Sequence, residues 1–188
     1  MADFLVINSS PRADGNCSFL SSAAVDALDV SGVETLRLDL ARMKIAACSG
    51  CGLCVEKKAR YCVFKDDMAD VYKAVLEAKA LLFVSPIYWF TYSAQLKTAI
   101  DRFYGLWNWE PDFLKDKRVG AVFVYGDTDV YASGAINAIG AFEHMLRFLE
   151  ARGCGFAYGT ANDPGDAAKN ADLVERVKQL ATSMATMR

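Results

Sequence analysis

Short uninterrupted apolar runs alternate along this chain with longer stretches in which apolar residues return every three to four positions. Phe4-Leu5-Val6-Ile7 is the first run and stops at Asn8-Ser9-Ser10-Pro11, after which a polar loop with Gly15 leads into a helix predicted from about Cys17 to Leu28. Val33 to Leu38 reads as a second strand. Asp66 and Asp67 stand where N-caps belong, ahead of Met68, Val71, Tyr72, Val75 and Leu76 at helical spacing. Ala80 to Ser85 predicts a third strand closed by Pro86, followed by a helix over Ser93 to Phe103 and a fourth strand over Val119 to Tyr125. Ile136, Ile139, Phe142, Met145, Leu146 and Leu149 mark one side of the next helix. Cys154 to Tyr158 supplies a fifth strand, and Leu173, Val177, Leu180 and Met184 form the buried stripe of the last helix.

Strands that are apolar throughout, each followed by a helix, are buried on both faces and therefore belong to a parallel sheet. Five such units predict an α/β fold of flavodoxin type, a doubly wound five-stranded parallel sheet of order 2-1-3-4-5 with helices on both faces. A ligand is expected beyond the carboxyl ends of the strands, at the switch point. The 188 residues, 53% hydrophobic and 23% charged, suit one domain over 1–188. A net charge of −2 leaves no basic stripe for nucleic acid, so small-molecule partners are expected. The opening MADFLV has a four-residue apolar run, short of the ~7–15 of a secretory segment, and nothing later reaches a membrane span. The reading is a cytoplasmic protein with no membrane partner.

Three segments carry candidate chemistry. In SSPRADGNCS a strand ends and a helix begins, so free backbone N–H groups and the positive helix end converge on one spot suited to an anion. Ser9, Ser10, Asn16 and Ser18 add short donors and Arg12 adds charge, although such a turn can also serve only to cap a helix. The glycine patterns of dinucleotide and ATP-binding loops are absent. After the third strand, Pro86 fixes the backbone and Tyr88, Trp89, Phe90 and Tyr92 place aromatic surface at the sheet's carboxyl end, where core packing would absorb any one ring and a planar ligand or another subunit would cover the cluster. A phosphate loop facing an aromatic cluster describes a flat ring carried on a phosphate, and FMN fits both ends. Between them, the loop from about Arg42 to Lys65 is too long for a plain connection and holds Cys48, Cys51, Cys54 and Cys62, four of the chain's six cysteines. In a reducing compartment such clustering points to metal or redox use.

These residues carry a family resemblance. INSSPRADGNCS, CSGCGLCVEKKARYCVFKDDM and SPIYWFTYSAQLKTAIDRFYG resemble three hallmark segments of the NADPH-dependent FMN reductase and iron–sulfur flavoprotein family, within the flavodoxin-like superfamily, over residues 3 to 105. The resemblance implies non-covalent FMN with its phosphate on Ser10, Arg12, Asn16, Cys17 and Ser18. It places the isoalloxazine edge along Pro86, Ile87, Tyr88, Trp89 and Phe90, with a third contact near Gly126 and Asp127. Cys17 replaces the family's usual threonine, and Phe90 and Tyr92 replace smaller residues. The flavin would carry the redox chemistry, so no catalytic acid or base is assigned. His144, the only histidine, reads as a solvated helix residue.

In the iron–sulfur branch of the family a compact four-cysteine motif binds a [4Fe–4S] cluster, which the resemblance would place on Cys48, Cys51, Cys54 and Cys62. Structural or redox-sensing thiols, and tetrathiolate zinc, remain alternatives. Cys17 and Cys154 read as packing or loop residues. The leading expectation is an FMN-dependent NAD(P)H oxidoreductase serving a quinone, flavin or other small acceptor. Beside it stand an iron–sulfur electron carrier with a ferredoxin-like partner and a non-enzymatic thiol or metal sensor. The resemblance also implies a homodimer or homotetramer, and Trp107 and Trp109 read as either interface or local lid.

Overall fold

A computed structural model describes residues 2–187 of the chain, leaving the first and last residues outside it. Strand β1 (Phe4–Asn8) sits between β2 (Thr35–Asp39) and β3 (Ala80–Tyr88), and β3 continues the sheet to β5 (Arg118–Tyr125) and β6 (Arg152–Thr160), all parallel. The order β2-β1-β3-β5-β6 is the predicted winding with one extra strand in the count. That strand is β4 (Thr91–Tyr92), a two-residue antiparallel partner of β3.

Each central strand serves two cores because successive side chains point to opposite faces. Leu5, Ile7, Leu81, Phe83, Val119, Ala121 and Phe123 pack with helices α2 (Met68–Glu77), α3 (Ala94–Trp109) and α4 (Ala135–Phe148). Phe4, Val6, Leu82, Val84, Val122 and Val124 pack on the other face with α1 (Asn16–Val30) and α6 (Ala171–Thr186), next to the single turn α5 (Asp166–Lys169). The unbroken apolar runs are the consequence.

Two boundaries differ from the sequence reading in ways that shape the site, each for a physical reason. The third strand runs past Pro86 to Tyr88. β1 pairs with it only as far as Val84, so the missing N–H of Pro86 removes no bond to β1. The hairpin then turns through Trp89 and Phe90 at φ 46° and 67°, left-handed values normally reserved for Asn-Gly. Helix α3 extends two turns beyond Phe103 and absorbs Trp107 and Trp109. Trp107 packs on Phe148 at 5.5 Å, while the Trp109 Nε1–H donates to the Ala59 carbonyl at 3.0 Å, fastening the cysteine loop to the helix.

Of the two caps the sequence suggested for α2, Asp67, the N-cap residue, makes no capping bond. Asp67 Oδ2 instead accepts from the Lys44 N–H at 2.7 Å and Asp66 Oδ2 from the Ala46 N–H at 3.0 Å. Asp66 does also receive the Met68 N–H, at 3.3 Å. The pair therefore closes the base of the long loop.

Candidate functional site

At the carboxyl ends of β1, β3, β5 and β6 lies a cavity of about 190 Å³. Ser10, Arg12, Gly15, Asn16 and Cys17 form one side, and Pro86, Ile87, Tyr88, Val124, Tyr125, Gly126, Ala161 and Asn162 the others. Its anionic end follows from the turn. Helix α1 starts at Gly15 with no side-chain cap, so its first-turn N–H groups are left for a ligand. A Cβ on Gly15 would lie 2.9 Å from that of Arg12, which is why the turn closes only around glycine.

The polar residues of this loop divide into those available and those already engaged. Arg12 is exposed, its Nη1 reaching the Asn162 carbonyl at 3.4 Å. Ser10 lines the cavity, and its Oγ accepts from the Arg12 N–H at 3.2 Å. Asn16 lines it too, but its amide donates to the Ala161 and Asp163 carbonyls and accepts from the Ala167 N–H, stitching α1 to the chain after β6. Ser9 and Ser18 lie off the cavity. The Ser9 hydroxyl donates to the Val84 carbonyl at 3.1 Å and receives the Ser93 hydroxyl at 3.0 Å. Ser18 Oγ accepts from Arg37 at 2.8 Å. Burial pushes the Cys17 thiol up to about 12, so it stays neutral and offers the loop its backbone N–H only.

The aromatic segment is likewise split. Pro86, Ile87 and Tyr88 share the first cavity with the loop after β1, whereas Trp89, Phe90 and Asp127 line an adjoining cavity of about 340 Å³ that shares Ile87, Tyr125, Gly126 and Asn162 with the first. Trp89 is 92% exposed and Phe90 55%. The Phe90 carbonyl accepts from Asn137, and Gly134 passes so close that a Cβ there would lie 2.5 Å from the Phe90 Cα. Sequence reading passed over Tyr125, Ala161 and Asn162, although each follows from the rule that the carboxyl ends of neighbouring strands form the site.

The four clustered cysteines come together on one cavity of about 220 Å³, walled on the far side by Asp101, Arg102, Tyr104 and Gly105 of α3. Gly50 and Gly52, at φ 67° and 74°, turn the chain between successive cysteines. At Gly105 a Cβ would fall 2.0 Å from the Tyr61 carbonyl oxygen, so the loop can lie on α3 only where the helix has no side chain. Among the described residues, no three Cys, His, Asp or Glu side chains are gathered closely enough to hold a metal ion. The donor set nonetheless fits a thiolate-ligated group. All four donors are thiols on one cavity, and Arg102, also on its wall, keeps a buried Nε with no hydrogen-bond partner.

Arg102 is 1% exposed at its side chain and pairs with Asp66 through both terminal nitrogens, at 2.9 and 3.1 Å. Its Nη1 also donates to the Ala46 carbonyl at 2.7 Å. Burial raises the Asp66 pKa, but the guanidinium and the Ala46 and Met68 N–H groups more than reverse this, leaving the carboxyl below its ordinary 3.8.

Comparison with known proteins bears on both cavities. The sequence profile of the NADPH-dependent FMN reductase family matches residues 2–163. An iron–sulfur flavoprotein of Archaeoglobus fulgidus is 34% identical over 181 residues, covering 94% of this chain and 76% of that protein. A second, from Methanosarcina thermophila, is 33% identical over 96 residues, and there the match spans about half of each chain, 51% of this one and 49% of the relative. In fold, the NAD(P)H:quinone oxidoreductase of Methanothermobacter marburgensis superposes with a TM-score of 0.76 at 15% identity, over 100% of this chain and 98% of the other. The chain is a flavodoxin-like oxidoreductase that belongs to the NADPH-dependent FMN reductase family.

Proposed function

We propose that this protein binds FMN in the cavity at the strand ends and passes reducing equivalents from NAD(P)H to a small acceptor such as a quinone or a flavin. One observation carries the reading. A single cavity joins the uncapped start of α1 and the exposed Arg12 at one end to the wall formed by Pro86, Ile87, Tyr88, Tyr125 and Gly126 at the other. FMN supplies two-electron and one-electron redox chemistry when bound. The protein's part is to neutralise the phosphate with Arg12 and the α1 N–H groups, and to hold the ring edge against the Pro86–Tyr88 backbone. The adjoining cavity beneath Trp89 and Phe90 leaves room for a second flat molecule, as transfer over ~3–3.5 Å requires. Steady-state NAD(P)H oxidation with added naphthoquinone tests the reading. FMN-loaded protein that stays oxidised with either nucleotide overturns it.

A second reading rests on the cysteine cavity. Four thiols on one wall support an iron–sulfur flavoprotein that carries electrons for a ferredoxin-like partner, with Cys48, Cys51, Cys54 and Cys62 holding a [4Fe–4S] cluster. Names of the archaeal relatives support it as well. Anaerobic reconstitution followed by iron and sulfide analysis decides the matter, and iron-free protein rules it out. Both readings include a cytoplasmic homodimer or homotetramer.

A further inference from the structure

Arg102 does more than pair with Asp66. Arg102 belongs to the wall of the cysteine cavity and its partner Asp66 does not, so the positive member of the pair is the one beside the four thiols. Four of the five guanidinium hydrogens belong to the terminal nitrogens that engage Asp66 and Ala46. The fifth, on Nε, is buried and finds no partner among the described residues. A charged group's unmade hydrogen bond is costly, and native structures rarely tolerate one unless something else supplies the acceptor. The Phe64 ring, 5.1 Å from the guanidinium carbon, offers the cation a π face but no acceptor atom for that N–H. Asp101, the other charged residue on this wall, pairs with Lys97.

We propose that Arg102 is the outer-sphere donor of the cysteine site, its Nε–H hydrogen-bonding to a sulfur of the iron–sulfur cluster held by Cys48, Cys51, Cys54 and Cys62. This rests on the second reading above, that the thiols hold a cluster. A [4Fe–4S] centre on four thiolates is an anion that gains one more negative charge on reduction, so a fixed donor and cation at its edge favour the reduced form. Asp66 holds the guanidinium in place by engaging both terminal nitrogens, and lysine at position 102 would keep the charge but lose the fork that leaves Nε free to point elsewhere. Arg102 is thus a positioning and tuning residue with no direct part in ligating iron.

The test uses anaerobically reconstituted holoprotein, poised at a series of potentials and read by EPR, with iron counted per chain. Arg102→Gln is expected to keep its iron and to show a reduced-to-oxidised ratio about tenfold lower than the parent at the same potential. Arg102→Lys should fall between them. Arg60→Gln, which removes an exposed cation from the same loop, should match the parent. An iron-replete Arg102→Gln with an unchanged ratio overturns the proposal, as does an equal shift in Arg60→Gln. Should the substitutions unfold the chain, the parent labelled with [15N]arginine provides the answer. Pulsed EPR of its reduced cluster should show coupling to an arginine nitrogen, and none means that Arg102 makes no such bond. Parent protein without iron after reconstitution removes the cluster reading itself, and the proposal with it.

Discussion

At the residue scale, two positions carry consequences that their residue types alone would not suggest. Gly105 lies inside a helix, where replacing glycine with alanine normally stabilises by about 1 kcal/mol. Here the added methyl would collide with the Tyr61 backbone, so the sign should reverse. Gly105→Ala is expected to lose about 1–3 kcal/mol in denaturant titration and to speed proteolysis between residues 54 and 62. Asp66 gives a pH dependence. Its folded pKa lies below the unfolded value of 3.8, so the unfolded chain takes up its proton first as pH falls. The stabilisation is complete well above pH 3.8 and is lost as pH drops through the folded pKa. Asp66→Asn should therefore be less stable at pH 7 and should lose less of its remaining stability on acidification, which melting curves from pH 7 to 3 will show. The sequence offered Asp66 only as a helix cap and gave Gly105 no role. The reversal at Gly105 depends on a carbonyl 44 positions earlier in the chain, and the role of Asp66 on an arginine 36 positions later.

At the scale of elements, most of the sheet was legible because two-sided burial writes itself as continuous apolar runs. Phe4–Asn8 and Arg118–Tyr125 were found nearly to the residue for that reason. The β3–β4 hairpin was not. Its turn is made of Trp89 and Phe90, where the usual signal would be Asn-Gly, so the local sequence argues against the conformation the chain adopts. Bulky residues in the left-handed region cost of order 1–3 kcal/mol each and persist only where surroundings hold them. Asn137 and Gly134 do so here. Replacing the pair with Trp89→Asn and Phe90→Gly should raise stability by about 1–2 kcal/mol in denaturant titration. A fall in stability would show that the exposed rings contribute more than the turn costs. The WNW segment was missed as helix because its aromatic residues serve two neighbours, Phe148 and the loop at Ala59, which follow no single period.

On the scale of the whole molecule, the candidate flavin cavity draws residues from β1 through the chain after β6, so its occupant should stabilise the entire sheet. FMN at a hundred times its Kd is expected to add about 2.7 kcal/mol to unfolding. Riboflavin, without the phosphate, should add less, and Arg12→Ala should narrow the gap between the two; calorimetry of the apo protein with each ligand checks this. The sequence pointed to the loop but not to the division of labour inside it. Asn16, Ser9 and Ser18 are donors by residue type, yet Asn16 is spent on joining α1 to β6, Ser9 on joining β1 to β3 and α3, and Ser18 on Arg37. Only the folded chain shows which hydrogen bonds are already made.

The Asp66–Arg102 closure divides the protein into two tenancies. It ties residues 44–46 to residues 66–67 without using any cysteine, so the fifteen positions from Cys48 to Cys62 hang from a knot that holds whether or not they carry a metal. If the cysteines hold the cluster proposed above, its loss in a cell short of iron would leave this knot, and the candidate flavin cavity with it, in place.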